Sequence, residues 1–188
     1  SRLIRILSMN NYQGSLKSKL QKQETSIFAV MSALAKEHHA INLSQGFPDF
    51  PVSAKLIGLV NDYMNKGFNQ YAPMTGIPEL RKEISIKVRD LYNADYDYQK
   101  EINITAGATQ ALHSAIAATI RDDDEVIVFE PAYDAYVPLV ALHGGLVKYV
   151  GLKLPDYRID WQEVKKLINN RTRMIIINSP HNPTGDRK

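Results

Sequence analysis

Cysteine is absent from all 188 residues, which removes a disulfide framework, a thiolate metal site and a thiol nucleophile together. A reducing compartment, the cytoplasm, is the expected location. No apolar run approaches the length that crosses a bilayer, so no transmembrane helix is expected. Net charge is small, +3 over the chain. Arg2, Arg5, Lys17, Lys19 and Lys22 stand in the first 23 residues without an acid, which leaves the remainder at a net −2. A nucleic-acid partner would need Lys and Arg clustered on a folded module, and no such cluster exists, so none is expected. Neither GxGxxG nor GxxxxGK[ST] occurs, which argues against a nucleotide-binding α/β domain. No grouping suggests a metal site.

Residues 1–24 read as a basic lead-in, disordered or tag-adjacent. Arg5 splits Leu3-Ile4 from Ile6-Leu7, so the apolar core of a secretory signal is missing, although an acid-free start with Arg and Ser shares its composition with organelle transit peptides. Beyond it the composition is ordinary, 44% apolar and 23% charged, enough to bury a real core.

Helical periodicity marks Ser26 to Glu37 through Ile27, Val30, Met31 and Leu34, a helix from near Ser53 to Gly67 through Leu56, Val60, Tyr63 and Met64, and a third opened by Pro78 with Leu80, Ile84, Val88 and Leu91. Between the first two, the Gly- and Pro-rich stretch Ile41 to Pro51 is too apolar for a solvated linker and predicts an ordered loop. From Glu101 the rhythm changes. Ile102 to Thr105 predicts a strand, Gly107 a turn, and Ala108 to Ile120 a helix. Glu125 to Phe129 is a continuous apolar run suited to a strand buried on both faces. A helix from about Asp134 to Leu142, a strand over Leu146 to Val150, a helix capped by Asp160 and Glu163 and ending near Ile168, and a strand over Arg173 to Asn178 complete the series. Strands alternating with helices predict a doubly wound, mostly parallel α/β sheet that binds ligands at the carboxyl ends of its strands.

Three segments after predicted strands carry chemistry. Thr105-Ala-Gly-Ala-Thr-Gln-Ala-Leu112 opens a helix with small residues, and its first-turn N–H groups, the helix dipole and the Thr109 hydroxyl suit a phosphate dianion. A tight helix-on-sheet turn needs nothing more than the same residues. In Glu130-Pro-Ala-Tyr-Asp-Ala-Tyr136, Tyr133 can stack on a flat heteroaromatic ring or simply pack in the core. Asn178-Ser-Pro-His-Asn-Pro-Thr-Gly185 holds two X-Pro bonds within four residues, a rigid loop able to aim one amide, with Asn182-Pro183 a candidate cis peptide. His181 has no nucleophile and partner acid spaced around it and reads as structural.

These segments, with Asn42-Leu-Ser-Gln-Gly-Phe-Pro-Asp-Phe-Pro51 and Gln70-Tyr-Ala-Pro-Met-Thr-Gly-Ile-Pro-Glu-Leu-Arg81, resemble in order the class I/II aminotransferases of fold type I. The QGFPDFP loop resembles the kynurenine and methionine branch, and the likeness covers roughly residues 25–185. It implies a three-layer fold of the pyridoxal-phosphate transferase type with an N-terminal helical segment. Residues 25–95 would form the arm and helices of a small domain and its junction, and 96–188 the first part of the large cofactor domain. It implies further that Gly107, Ala108, Thr109 and Gln110 hold the phosphate of pyridoxal 5'-phosphate, that Tyr133 stacks on its ring, that Asn182 donates to its phenolic oxygen, that Gly46 and Asn182 lie beside the substrate, and that Tyr71 reaches the phosphate of the other subunit of a homodimer.

The aldimine lysine that the resemblance requires lies downstream of the HNPTG loop in a serine-rich context. Lys148, Lys153, Lys165, Lys166 and Lys188 have no such context, and the acid for the pyridine nitrogen and the arginine for the substrate carboxylate are also missing. The expectation is an amino-acid aminotransferase, with methionine or an aromatic amino acid as donor and a 2-oxo acid as acceptor, of which these 188 residues are an inactive N-terminal half. A pyridoxal-phosphate C–S lyase of the same fold and a non-catalytic interaction module are the alternatives.

Overall fold

The computed structural model describes residues 18–20, 25–46 and 48–187. The lead-in expected over 1–24 lies, apart from 18–20, outside the described residues, as does Phe47. The described chain falls into two compact units, one over Thr25–Ala118 and one beginning at Thr119.

The first unit is helical: α1 (Ile27–Glu37), α2 (Ala54–Asn65), α3 (Pro78–Tyr92) and α4 (Ala108–Thr119), whose last residue opens the second unit. Local signals set the boundaries. The Ser26 hydroxyl accepts from the Ala29 N–H at 3.3 Å, an N-cap that satisfies one orphan donor of α1. Pro78 opens α3 where no N–H is needed, and Asn93 ends it in the left-handed region at φ +52°. Arg81 of α3 is 7% exposed, and its Nη1 donates to the carbonyls of Tyr98 at 2.8 Å and Gln99 at 3.3 Å, tying the helix to the turn that follows.

The strand expected over Ile102–Thr105 does not form. The segment is extended but has no ladder partner among the described residues; the Ile104 N–H bonds a turn, at the Thr75 carbonyl, 3.1 Å away. β-prone side chains bias a backbone toward extension, but a strand exists only when a neighbour completes the ladder.

The second unit runs β1 (Glu125–Glu130), α5 (Tyr136–Leu142), β2 (Leu146–Gly151), α6 (Trp161–Leu167), β3 (Thr172–Ile176). The three strands form a parallel sheet in the order β2-β1-β3. The chain steps from β1 outward to β2, then back across β1 to β3. The two crossovers run in opposite directions, and with the right-handed connection that parallel strands take they put α5 and α6 on opposite faces, which makes the unit a doubly wound α/β sheet. Central β1 accordingly reads as continuous apolar sequence: Val126, Ile127 and Val128 are all fully buried. Ile127 and Phe129 pack with Val150, Leu152 and Val164 of the α6 side, and alternation turns Val126 and Val128 to the other.

The expected α6 cap forms: Asp160 Oδ1 accepts from the N–H groups of Gln162 (3.0 Å) and Glu163 (3.1 Å). The Glu163 carboxylate pairs with Lys153 at 3.1 Å. α5 starts at Tyr136, two residues after the expected boundary, because Asp134 and Ala135 belong to the turn leaving β1.

At the amino end of β1 sits a fully buried charge, Glu125. Arg171 and Lys148 approach its Oε1 at 2.6 and 3.5 Å, and Asn169 Nδ2 donates to Oε2 at 2.8 Å. The Asn169 bond and the two cations hold the carboxyl below its ordinary range against the opposing effect of burial. Next to it, the Arg121 N–H and the Arg173 guanidinium hold Asp124 down too. The β1–β3 register slips between Glu125 and Val126, leaving Arg173 unpaired in the ladder and beside Asp124 at 3.4 Å.

Candidate functional site

In the second unit, β1 and β3 are neighbours in a parallel sheet, so their carboxyl ends open side by side. The turns that follow carry Tyr133 and Asn182. Tyr133 is half-buried, and its ring meets that of Tyr136 edge to face at 5.7 Å and 77°. Tyr136 is 8% exposed, and burial pushes its phenol up against the opposing effect of the Asn178 side chain.

Beyond β3 the loop closes on itself. Gly185 N–H donates to the His181 carbonyl at 2.6 Å, His181 N–H to the Asp186 carbonyl at 2.7 Å, and the His181 ring Nδ1 lies 3.0 Å from the Thr184 hydroxyl. His181 is buried, in keeping with the structural role expected for it, while Asn182 beside it is exposed. Both X-Pro bonds of the loop, Ser179-Pro180 and Asn182-Pro183, are cis. The sequence therefore encodes a turn whose inner residues are consumed in holding it and whose Asn182 side chain is left outward.

In the first unit, Gly107 enters α4 at φ +89° with nothing within 4 Å of where a Cβ would stand. Its N–H donates to the Thr105 carbonyl at 2.8 Å, and the Gln110 side-chain oxygen accepts from the Ala106 N–H at 2.5 Å. The turn is held by hydrogen bonds within the chain. Ala108, Thr109 and Gln110 occupy the first helical turn, where backbone N–H groups have no intrahelical acceptor. Three exposed first-turn residues, an open glycine and a helix amino terminus make a donor set suited to an anion.

Tyr71 is 102% exposed, its ring reaching away from its own unit. Gly46 is likewise open, in a loop fastened by Asn42: its Nδ2 donates to the Ser32 hydroxyl at 3.0 Å and its Oδ1 accepts from the Ser44 N–H at 3.0 Å. The five expected residues Gly46, Tyr71, Gly107, Ala108 and Thr109, with Gln110, belong to the first unit, and Tyr133 and Asn182 to the second.

Three contributors escaped the sequence reading. Gly76, at φ +96°, passes so close to Ile104 that a Cβ would lie 2.3 Å from its Cγ1, which fixes the Tyr71-containing segment against the approach to Gly107. A glycine two residues before a helix-opening proline was the available signal. Tyr136 and Asn178 left no signal, because their contact joins residues 42 apart in sequence through side chains alone. Lys148 and Lys153, considered for their amines, are engaged with Glu125 and Glu163. Among the described residues no acidic or histidine group could hold a metal, and no helix is long and apolar enough to cross a membrane.

Comparison with known proteins matches residues 38–187 to the family described as aminotransferase class I and II. Over 167 residues, 89% of this chain and 43% of the relative, the sequence is 51% identical to the methionine aminotransferase of Escherichia coli K12. It is 32% identical over 182 residues to human kynurenine–oxoglutarate transaminase 3, covering 39% of that protein. A crystal structure from Escherichia coli, described as identifying a methionine aminotransferase function, superposes with a TM-score of 0.88 at 49% identity over 92% of this chain and 45% of that one. The N-succinyldiaminopimelate aminotransferase of Mycobacterium tuberculosis superposes with a TM-score of 0.86 at 38% identity. The chain spans less than half the length of these relatives.

Proposed function

This chain belongs to the class I and II aminotransferases, a pyridoxal-phosphate-dependent family, and from that premise we propose that its full-length protein is an amino-acid aminotransferase with methionine, or an aromatic amino acid, as donor and a 2-oxo acid as acceptor. The observation that carries this reading is the 51% identity to a methionine aminotransferase over 167 residues of this chain.

The donor set fits the cofactor. The first-turn amides of Ala108, Thr109 and Gln110, with the Thr109 hydroxyl, would bind the phosphate, and Gly107 keeps their approach open. Tyr133, its edge backed by Tyr136, would support one face of the ring. Asn182 would donate its side-chain N–H to the phenolic oxygen. Gly46 would leave room for the substrate carboxylate, and Tyr71, wholly exposed, would reach the phosphate of the other subunit in a homodimer. When bound, pyridoxal phosphate supplies an electron-withdrawing ring that stabilises charge developing at the substrate α-carbon. The protein's own part here is binding, orientation and a fixed hydrogen bond at that oxygen.

Residues 25–95 would serve the small domain and its junction, and 96–188 the cofactor domain, of a cytoplasmic enzyme. The 188 residues by themselves would turn nothing over, since Lys148 and Lys153 are held in ion pairs and no other lysine stands in a suitable context. The test is product analysis on the full-length protein given methionine and 2-oxoglutarate. The 2-oxo acid of methionine together with glutamate is the expected result; ammonia and a thiol would mean C–S lysis instead, and catalysis by the 188-residue chain would contradict the division proposed.

A further inference from the structure

We propose that Tyr136 is a positioning residue of this site, coupling the ring-supporting turn after β1 to the Asn182 loop after β3 through its edge contact with Tyr133 and the buried hollow it shares with Asn178 and His181. The proposal rests on the cofactor reading above and extends it to residues that would not touch the cofactor.

Tyr136 opens α5, so its backbone is fixed on both sides: its N–H donates to the Tyr133 carbonyl at 3.3 Å, and the helix begins at its own position. From there the side chain does two things. Its ring stands across that of Tyr133 at 5.7 Å, which fixes the tilt at which Tyr133 can meet a flat ligand. Its side chain lines one small hollow with Asn178, two residues beyond β3 and four before Asn182.

The space around this contact argues for support over ligand binding. Phe129, Tyr136, Leu152, Asn178 and His181 line a hollow of about 10 Å³, room for one water at most. Nothing larger enters, so the hydroxyl's purpose is internal. His181 closes the same hollow while anchoring the loop through Thr184 and Asp186. The two turns therefore share one buried seam, and a loss at the hydroxyl reaches Tyr133 from one side and Asn182 from the other.

The test uses the full-length protein freed of cofactor and titrated with pyridoxal 5'-phosphate, following its absorption band. Tyr136→Phe keeps the ring and deletes the hydroxyl; Asn178→Ala removes the side chain on the other wall of the hollow. Each should weaken binding about three- to tenfold, and shift the band of the bound cofactor and the pH at which it changes. The double variant should lose less than the product of the two single losses, because residues that share one cavity are coupled. Wild-type affinity and spectrum in Tyr136→Phe, or a double variant showing the product of the two losses, would overturn the proposal. Should Tyr136→Phe fail to fold, Asn178→Ala, on a half-buried residue, decides alone by the same readings. A wild-type protein that takes up no pyridoxal phosphate would sink the cofactor reading itself, and this inference with it.

Discussion

The two units solve the same problem differently. The unit beginning at Thr119 buries its own apolar sequence: β1 is sealed on both faces by the helices that connect its strands. The unit over 25–118 leaves most of its apolar stripe in the open, with no buried residue in α1 or α2 and with Leu56, Val60 and Met64 more than half exposed. Periodicity foretold α2 as plainly as the Asp160 cap foretold α6, since spacing records which face a helix will bury but not what will cover it. A 12-residue helix draws its stability from packing rather than propensity, so α2 is the less secure element. The residues proposed for the cofactor divide the same way: Tyr133 and Asn182 follow strands of a sealed sheet, whereas Gly107 to Gln110 rest on a local turn.

That contrast can be broken or sharpened by substitution. Ile127→Ala, in the centre of the sealed sheet, should cost the 188-residue chain about 2–5 kcal/mol, measured by urea unfolding. Asn182→Ala in the full-length protein should lower kcat/KM on the order of a hundredfold, the scale of a lost donor at a reacting centre, with the unfolding midpoint unchanged because the side chain is exposed. Gly76→Ala should cost about 1–3 kcal/mol of backbone strain and crowding, since the new Cβ would meet Ile104 in a left-handed backbone.

Acid should act on the sheet unit next. Glu125 and Asp124 are held below their ordinary range in the folded state, so the stability they confer is complete above that range and is lost as pH falls through it toward their folded values. Unfolding midpoints taken stepwise from neutral to acid pH should fall, and Glu125→Gln should flatten that fall. The smallest effect is expected at Val60→Ala on α2, within about 0.5 kcal/mol in the same chain. A loss there equal to that of Ile127→Ala would mean the stripe is covered and would dissolve the contrast.

The sequence made legible whatever is decided locally. Helices α1 to α4 and α6 declared themselves by spacing and caps, and β1 by its unbroken apolar run, so the α/β class followed. The strand expected at Ile102–Thr105 failed because a ladder partner is a property of the whole sheet, not of four residues. At the site, Gly107 and the Asn182 loop were visible because glycine and proline mark backbone constraint. Tyr136 and Asn178 were not, because a meeting of side chains beyond the ends of adjacent strands leaves no pattern in either segment. Glu125 was hidden for a related reason: a carboxylate heading an apolar run gives no hint that Arg171, Lys148 and Asn169 will meet it in the fold.

The central proposal is that residues 107–110, Tyr133 and Asn182 would hold pyridoxal phosphate in the full-length protein. A crystal structure of the full-length protein grown with that cofactor tests it directly. The account predicts the phosphate on the amides of residues 108–110, the pyridine ring against Tyr133 and the phenolic oxygen within hydrogen-bond reach of Asn182. A cofactor lodged elsewhere, or these three residues facing different solvent surfaces, would contradict it.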